Sequence, residues 1–539
     1  MNWIITAKAH LIPDQEEIPC AVTLNVGDVP CATATVENVT GRAGQVELEF
    51  LLAETVPPGA AELRALLPLK ANGLFDHHSL RPVSEPGQLT DCEHTLSLLD
   101  PQGSFVAHYL EPAASHATEQ RAKAPLLIPL IEWFAPGCGK RFALFASPER
   151  AWRFSLKREG DNAWQWSLQT LFPMQPGESR SELCWLFENP ASSREAWRAF
   201  HRFAQAPAVM VPDWLRRVRL HYYDFLSAAD NGRRGSGFDR SACHFREFVV
   251  GLATQHGYYP FWGDYISPGR THWHAMRNDT GGAAEMSLGL MRSRIEAARE
   301  AGARAAIYIH LVGFDAASPL NDELGDPALI DANGQPVAFG WDGPDVLGPV
   351  RFMSLRAPAW RRHLLQQAQW ILELLDPDAI VVDETFAYLG YDYHPDRRGP
   401  TSAAGIRLMK DLRALVRSFG PEKAVLSSDC GLGSMVLWAD GEGGDHAYES
   451  LLGDPLYRKE PARFLAALGE KPWLPCAWQA WKWWDAQVEL AKACGAGVGV
   501  SDGWLEYTGL ARMSDEQRTK MLADIGWLGR HADRTIGSL

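Results

Sequence analysis

Residues 378–386 read DAIVVDETF, and this stretch is the clearest indication of the fold. The three consecutive apolar residues that follow Ala379 predict a short, fully buried strand. The strand ends abruptly in Asp383 and Glu384. Two carboxyl groups directly beyond a buried strand are costly unless they are hydrogen-bonded or belong to a reactive site. The stretch therefore predicts a buried strand whose end carries chemistry.

Strand-like and helix-like segments alternate on both sides of this stretch, from about residue 215 onward. Repeated strand–helix units predict a parallel sheet covered by helices, and eight such strands in about 325 residues are typical of a (β/α)8 TIM barrel. An open, doubly wound sheet is the alternative, but no glycine-rich phosphate motif opens any of the helices. The predicted strands are 217–225, 258–265, 303–312, 379–386, 423–429, 435–440, 473–479 and 495–502. The predicted helices are 285–301, 358–375, 402–419, 461–468, 485–494 and 514–532.

The residues before this region have a different pattern. Residues 46–52 alternate apolar and charged side chains, as a half-buried strand does, and residues 151–169 predict a hairpin around the turn EGDN. Many short strands separated by Gly and Pro predict an antiparallel β-sandwich-like domain. We therefore divide the chain into an N-terminal β-sandwich domain (1–192), a helical linker (193–214) and a catalytic barrel (215–539).

The composition excludes several functional classes. The chain has 539 residues, enough for two or three domains, of which 46% are hydrophobic and 22% charged, as in globular proteins. The formal charge of −14 is spread along the chain without a Lys/Arg block, which excludes a nucleic-acid surface. No apolar stretch approaches the roughly 20 residues that span a bilayer, and the N-terminus lacks a signal-peptide pattern. The nine cysteines are widely spaced and form no CxxC, so we expect a cytoplasmic, bacterial-type protein without a membrane partner or a zinc site.

Acidic residues follow several predicted strands, at the positions where the reactive side chains of such a barrel lie. Cleavage of a glycosidic bond needs two carboxyl groups that face each other across the sugar, one protonated and one ionised. A strand-end Asp can instead cap the next helix or bind loop amides, and this role is the better explanation for most of these acids taken singly. Asp383 is the exception because it follows three buried positions. The candidate catalytic residues are Asp383, Asp429, Asp440 and Glu442.

Tryptophan is abundant, with 21 residues in the chain and five of them within residues 472–484. Flat aromatic rings bury the CH faces of sugar rings at low entropic cost, although at least half of these tryptophans are expected to be core packing. We assign residues near the predicted strand ends to substrate binding; Asp502, which precedes Gly503, has a turn as its alternative role. The substrate-binding candidates are Trp262, Asp264, His310, Trp341, Arg351, Glu384, Trp478, Trp481 and Asp502.

Three segments together resemble the central barrel of retaining α-glycosidases of the α-galactosidase and α-glucosidase clan. They are DPALIDANGQPV at 326–337, RFMSLRAPAWRRHLLQQAQWIL at 351–372 and DAIVVDETF at 378–386. The resemblance implies a β-sandwich before the barrel, Asp383 as the nucleophile, and an acid/base on the sixth strand, which brings forward Asp440 or Glu442. The chain departs from the clan at Val381, where the clan has a Lys two residues before its Asp.

Two other functional classes are alternatives. A metal-dependent amidohydrolase barrel uses an HxH pair, further His residues and a last-strand Asp, and this chain has His272 and His274, with His310 and Asp502 at strand ends. The HxH pair, however, follows the second predicted strand instead of ending the first. A non-catalytic carbohydrate-binding barrel is the third possibility. The pattern favours a two-carboxylate glycoside hydrolase with a carbohydrate substrate and without a metal or cofactor, and the resemblance implies cleavage of an α-glycosidic bond by a retaining mechanism.

Overall fold

The computed structural model divides the chain into two compact units. The first comprises Met1–Leu74 with Arg81–Ala206, and the second Phe75–Leu80 with Pro207–Leu539. The structure describes residues 4–12, 15–25, 31–55, 64–66, 93–95, 104–109, 128–135, 140–159, 163–188, 190–191, 193–204, 211–224, 237–275, 284–337, 350–383, 391–428, 434–443, 471–476, 480–502 and 509–537.

The first unit consists mainly of two antiparallel sheets. One has the strand order β2-β1-β5-β12-β11-β8 and the other β3-β4-β13-β10-β9-β6-β7. The strands are β1 (Ile4–Ile12), β2 (Glu16–Ile18), β3 (Cys20–Asn25), β4 (Cys31–Glu37), β5 (Gly44–Thr55), β6 (Arg64–Leu66), β7 (Glu93–Thr95), β8 (Ser104–Tyr109), β9 (Leu130–Ala135), β10 (Lys140–Ala146), β11 (Trp152–Glu159), β12 (Ala163–Met174) and β13 (Ser179–Glu188).

The core of this unit follows from period-two patterning. Every second residue of β5 from Val46 to Leu52 is fully buried, and both sheets contribute to a single hydrophobic cluster. The predicted hairpin is confirmed, since β11 pairs antiparallel with β12. Helix Ser193–Phe203 also packs on this unit, with the Phe203 ring 4.8 Å from that of Trp185.

The second unit is built around a seven-stranded sheet of order β25-β24-β21-β18-β15-β14-β26, in which all neighbouring strands are parallel. Three two-stranded antiparallel hairpins extend from its connections. The strands are β14 (Leu220–Asp224), β15 (Leu252–Gln255), β16 (His272–Ala275), β17 (Ala284–Ser287), β18 (Arg304–His310), β19 (Gly313–Asp315), β20 (Val350–Phe352), β21 (Ala379–Asp383), β22 (Tyr391–Asp392), β23 (Gly399–Pro400), β24 (Ala424–Ser427), β25 (Gly441–Glu442) and β26 (Val498–Asp502).

Helices follow the strands of the parallel sheet, as the alternating pattern predicted. Local signals place their ends: the Ser287 hydroxyl accepts a hydrogen bond from the Leu290 amide, and Pro358 occupies a first-turn position, where its missing N–H costs nothing. The helices of this unit are Asp213–Arg217, Gly237–Ser241, Phe245–Phe248, Leu288–Glu300, Pro358–Leu375, Ser402–Ser418, Trp484–Cys494 and Asp515–Gly537. Among the described residues, no helix is both long and apolar enough to cross a membrane.

The parallel sheet curls around an apolar core. Leu252, Ala306, Val381 and Leu426 come from four of its strands and share one buried cluster with Leu215 of the short helix Asp213–Arg217. We call the face of the sheet that carries these residues the inner face. Residues in register on parallel strands project to the same face. The pairing with these cluster residues, together with alternation along each strand, therefore shows whether a given strand residue lies on the inner or the opposite face.

Two predicted strands are wrong. Residues 258–265 form a compact loop, and the second strand is the shorter run β15. Four aromatic side chains are buried within that loop, those of Tyr258, Tyr259, Trp262 and Tyr265. Strand propensity measures the fit of a side chain to a packed surface more than a backbone preference, so these residues resembled a strand in the sequence. Residues 435–440 lie mostly in a 3-10 helix, Ser434–Trp438, and the sixth strand is β25. The predicted helix 461–468 lies outside the described residues.

Candidate active site

The carboxyl ends of β18 and β21 bring two predicted site residues side by side. His310 pairs in register with Asp383, two residues beyond the Tyr308–Val381 pair. Because Val381 belongs to the inner face and side chains alternate along a strand, both His310 and Asp383 project to that face. Asp383 is 4% exposed, so its carboxyl group lies at the end of the strand in a nearly dry environment.

Asp383 is held by a neutral donor from the neighbouring strand. The Tyr308 hydroxyl donates a hydrogen bond of 2.7 Å to Asp383 Oδ2. Hydrogen bonds to an ionised carboxylate are shorter and stronger than those between neutral groups. The bond therefore fixes the orientation of the carboxyl group and favours its charged form.

Next to His310 and Asp383, tyrosine hydroxyl groups bind backbone groups of β18 that have no neighbouring strand. β15 ends at Gln255, opposite Ile307, so residues 308–310 of β18 extend beyond it. The Tyr258 hydroxyl donates to the Tyr308 carbonyl at 3.0 Å. The Tyr265 hydroxyl accepts from the His310 amide at 2.5 Å and donates to the His310 carbonyl at 3.2 Å. Buried backbone groups are thus satisfied by phenols where no strand is present.

The loop that carries these tyrosines is itself anchored. The Gln367 side-chain oxygen, fully buried on helix Pro358–Leu375, accepts hydrogen bonds from the backbone amides of Tyr265 and Ile266 at 3.0 and 3.1 Å. Burial raises the pKa of Tyr265 well above its usual value, and the nearby Asp383 carboxylate raises it further. The phenol therefore stays neutral and acts as a hydrogen-bonding group.

His310 is fixed in one tautomer. Its Nδ1 accepts hydrogen bonds from the backbone amides of Val312 and Gly313 at 3.2 and 2.6 Å, so the proton of the neutral ring lies on Nε2. The Trp262 ring lies 4.6 Å from the imidazole. Gly313 makes this arrangement possible, because an added Cβ would lie 2.6 Å from Trp262 Cε3 and 2.8 Å from His310 Nδ1. His310 therefore presents an N–H donor beside Asp383.

Below these residues the inner face carries a buried polar contact. His221 Nδ1 lies 3.1 Å from the Leu474 carbonyl, to which it can only donate, and its Nε2 then accepts from the Thr254 hydroxyl at 2.8 Å. Burial lowers the pKa of His221 to about 4, although the bond to the Leu474 carbonyl opposes the shift. The neutral imidazole thus links β14 to β15 and to the segment 471–476.

The structure does not bring Asp440 together with Asp383. Asp440 is fully buried, and its Oδ2 accepts a hydrogen bond from the Val425 amide at 2.9 Å. Val425 pairs in register with Ile380, three residues before Asp383, which is a separation of about 10 Å along the strand. Asp440 therefore lies toward the amino end of the sheet.

Two arginines of helix Ser402–Ser418 neutralise Asp440 at that position. Arg413 Nε and Arg417 Nη2 donate to Asp440 Oδ1 at 3.0 and 2.8 Å. A carboxylate held by two guanidinium groups and a backbone amide has its acceptor sites occupied. These contacts fit a role for Asp440 in stabilising the fold and not in acid–base chemistry.

Glu442 lies at nearly the same level along the strands as Asp383, but its side chain projects to the opposite face of the sheet. It is fully buried and pairs with Ser427, which pairs with Val382. Its neighbours Gly441 and Gly443 face inward: a Cβ added to Gly441 would lie 3.4 Å from Leu215, and one added to Gly443 would lie 3.7 Å from His221. Alternation then directs the Glu442 side chain away from the inner face.

The remaining described candidates occupy different settings. Asp264 is fully buried in a two-point ion pair with Arg270, at 2.7 and 3.0 Å. Arg351 is half-buried on β20, opposite Phe314. Trp481 is half-buried and packs on Trp484 with a ring distance of 5.2 Å. Asp502 ends β26, where it pairs with Asp224. Trp341, Glu384, Asp429 and Trp478 lie outside the described residues.

The HxH pair has a different position from the one that a metal-dependent amidohydrolase requires. His272 and His274 are exposed on β16, a strand of an antiparallel hairpin. Within the described ranges, no cluster of three or more His, Cys, Asp or Glu side chains has a geometry that holds a metal ion. His310, the third histidine of that hypothesis, uses its Nδ1 for backbone amides.

The arrangement of strands and sheets has close structural relatives. No family model and no curated protein matches the sequence. The GH36 alpha-galactosidase AgaA from Geobacillus stearothermophilus superimposes with a TM-score of 0.63 at 12% identity, over 99% of this chain and 74% of that one. The chain has the fold of the GH36 alpha-galactosidases.

Further solved structures agree with this GH36 fold. The alpha-galactosidase from Lactobacillus brevis gives a TM-score of 0.61 at 10% identity, covering 100% of this chain and 71% of that one. The alpha-galactosidase TtGalA from Thermus thermophilus gives 0.53 at 14% identity, with 94% of each chain covered. The predicted resemblance to the α-galactosidase clan is therefore confirmed at the level of the fold.

Within this GH36 fold, the tyrosines near Asp383 were not predicted from the sequence. Tyr308 occupies the same face as His310 in a strand that was recognised, so alternation along β18 was a usable signal for it. Tyr258 and Tyr265 fell in the wrongly predicted second strand, which hid their role. Together, a buried carboxylate, a neutral phenol donor and a neutral imidazole donor form a site that can hold a charged nucleophile and a polar ligand.

Proposed function

We propose that the chain is a glycoside hydrolase that cleaves an α-glycosidic bond with retention of anomeric configuration. The observation that carries the proposal is Asp383, a buried carboxyl group at the end of a central parallel strand and on the inner face, in a fold shared with alpha-galactosidases. Variants of one of these, AgaA, are known in complex with raffinose and stachyose. An oligosaccharide or glycoconjugate with an α-linked terminal sugar is the substrate class we propose.

We further propose that the parallel sheet closes into a (β/α)8 barrel. Segment 471–476 supplies the seventh strand, between β25 and β26. On one side the Glu442 amide donates to the Pro472 carbonyl at 2.9 Å and the Leu474 amide to the Glu442 carbonyl at 2.8 Å. On the other side the Gly497 amide donates to the Trp473 carbonyl at 2.7 Å. Hydrogen bonds on both sides of this segment support a closed ring of eight strands.

In the proposed mechanism, Asp383 attacks the anomeric carbon as a carboxylate. The bond from that carbon to the leaving oxygen breaks, a second carboxylic acid protonates this oxygen, and a glycosyl ester of Asp383 forms. The second group, now a carboxylate, then takes a proton from water, whose oxygen displaces Asp383 from the anomeric carbon. The Tyr308 hydroxyl stabilises the charged form of Asp383 before attack and after release.

The second carboxyl group is proposed to follow the fifth or sixth strand. Asp440 and Glu442 are not retained, because the first is bound to two arginines and the second is directed to the outer face. Asp429 follows β24 by two positions, and Asp445 follows β25 by three. Both acids follow strands whose carboxyl ends lie at the same edge of the sheet as the end of β21.

The other predicted substrate-binding residues remain proposals. His310 offers its Nε2–H to a sugar hydroxyl beside Asp383, and Trp262 supports its ring. Arg351 lies on β20, Asp502 ends β26 and Trp481 follows segment 471–476, whereas Trp341, Glu384 and Trp478 lie outside the described residues. The ion pair with Arg270 favours a structural role for Asp264. We keep the division into a β-sandwich domain (1–192), a linker (193–214) and a barrel (215–539) as a proposal.

We also propose a cytoplasmic location. The nine cysteines are widely spaced and form no CxxC, a pattern that fits a reducing compartment better than a disulfide framework. Mass spectrometry of the protein isolated from cells under alkylating, non-reducing conditions should show every cysteine modified, and a native disulfide would contradict the proposal.

The test of the function is turnover of p-nitrophenyl α-glycosides by the full-length protein, with the product anomer followed by NMR. We expect hydrolysis of at least one α-glycoside with an α-product formed first. Asp383→Asn keeps the shape of the side chain but removes the attacking charge, so kcat should fall by about three orders of magnitude or more with the fold intact.

The matched control is Asp485→Asn, which removes a charge from an exposed side chain paired with Lys520. This variant should keep wild-type kcat. An Asp383→Asn protein that folds normally and retains more than about a tenth of wild-type turnover would refute the assignment. Binding of oligosaccharide without turnover by the wild-type protein would instead favour the non-catalytic barrel.

A further inference from the structure

Tyr308, the donor to Asp383, is confined by the side chains around it. The Tyr308 ring is packed from two sides, with the His256 ring edge-on at a centroid distance of 3.7 Å and the Tyr259 ring stacked at 6.0 Å. A phenol confined in this way loses little further freedom when it binds a carboxylate, so its position is set before substrate arrives.

The strand that carries Asp383 offers no cation of its own on this face. Position 381, the preceding inner-face residue, is a buried Val in the apolar cluster. A carboxylate at the end of such a strand needs a donor from elsewhere to remain charged in a nearly dry site. Tyr308, one pair below Asp383 on the adjacent strand, supplies it at 2.7 Å.

We propose that Tyr308 is a positioning residue for Asp383, which orients its carboxyl group and keeps it ionised through a neutral hydrogen bond. The inference deepens the proposed function and rests on it for the role of Asp383 in turnover. The hydrogen bond itself does not depend on that role. The strand of the proposed nucleophile has no lysine, and the Tyr308 phenol, packed among aromatic rings, stabilises the carboxylate instead.

Several described groups lie near Asp383. β18 contributes Tyr308 and His310, and the loop after β15 contributes Tyr265, whose pKa the Asp383 carboxylate raises. His256 of the same loop contacts the Tyr308 ring. Ser428, directly after β24, donates its amide to the Val382 carbonyl at 2.9 Å, and its side chain does not titrate. Segments 384–390 and 429–433 lie outside the described residues.

A direct test is the titration of the Asp383 carboxyl carbon by NMR in the full-length protein with 13C-labelled aspartate. The Asp383 signal is identified by its absence in Asp383→Asn. Without the phenol hydroxyl the ionised carboxylate is less stable, so the titration midpoint in Tyr308→Phe should lie higher by about one pH unit. The matched control is Tyr258→Phe, which removes a hydroxyl from the same cluster that binds a backbone carbonyl and should leave the midpoint unchanged.

Kinetics on a hydrolysed α-glycoside supply the second readout. Tyr308→Phe should lower kcat by about 10- to 100-fold with little change in KM, and the acid limb of its kcat profile should move to higher pH. Tyr258→Phe should reduce stability but keep the acid limb of the wild type. An unchanged Asp383 midpoint in Tyr308→Phe, or an equal shift in Tyr258→Phe, overturns the proposal. If the midpoint shifts while the wild-type protein hydrolyses no glycoside, Tyr308 holds Asp383 as inferred and the proposed function fails instead.

Discussion

The substitution Asp440→Asn distinguishes a structural role from a catalytic role for Asp440, the buried acid directly before β25. The clan resemblance brings forward Asp440 or Glu442 for acid–base chemistry, whereas the structure binds Asp440 to Arg413 and Arg417. Removing one partner of a buried ion pair costs about 3–5 kcal/mol, because it leaves an uncompensated buried charge. The two arginines are 21% and 20% exposed, so water screens part of their charge. We therefore expect a loss of about 2–4 kcal/mol in the free energy of unfolding.

The assay is urea unfolding followed by tryptophan fluorescence, combined with kcat measured at a temperature where the variant is folded. The unfolding midpoint of Asp440→Asn should fall clearly, while kcat stays within a few-fold of wild type. In an Arg413→Met background the same substitution should cost less, because one of the two charges left behind is already gone. A wild-type unfolding midpoint together with a loss of kcat of several orders of magnitude would refute the structural role and restore Asp440 as the acid/base.

Two further predictions concern the inner face and the rim of the site. The pKa of His221 is lowered from 6.5 to about 4, so the unfolded chain binds this proton between those pH values and the folded protein does not. Stability should therefore fall by about 3 kcal/mol as the pH drops from 6.5 to 4. Urea midpoints of His221→Gln should show a shallower decline over the same range, and equal slopes would contradict the assignment. Gly313→Ala places a Cβ 2.6 Å from Trp262 and 2.8 Å from His310, both in contact at the rim. We expect KM to rise and the free energy of unfolding to fall by about 1–3 kcal/mol. Unchanged values of both would show that Gly313 does not fix the positions of the Trp262 and His310 rings.

The strand that ends in Asp383 was recognisable because its signal is local. Three consecutive apolar residues and an abrupt pair of acids specify a buried strand and its end, and the structure has β21 at Ala379–Asp383. Long helices such as Pro358–Leu375 were also predicted at their observed bounds, since their periodicity and their first-turn proline lie within one segment. The β-rich first unit followed from period-two patterns of the same kind.

Which acids share a face with Asp383 was decided only by the tertiary structure. Asp440 and Glu442 follow an apolar run just as Asp383 does, yet one binds arginines toward the amino end of the sheet and the other faces outward. The register between strands distant in sequence sets both outcomes, and no local pattern encodes it. The short strands β15 and β25 were missed for a related reason, because they are too brief to show a period.

The sequence alone thus predicted most of the element types, the parallel sheet and the buried carboxyl group at the end of β21, since each depends on patterning within a few residues. The contact between Tyr308 and Asp383 depends on a pairing between residues 75 positions apart. The phenol clamp around β18 depends on where its neighbouring strand stops. These features arise from long-range register and from the demand that buried backbone groups be hydrogen-bonded, and both are satisfied only when the whole sheet is assembled.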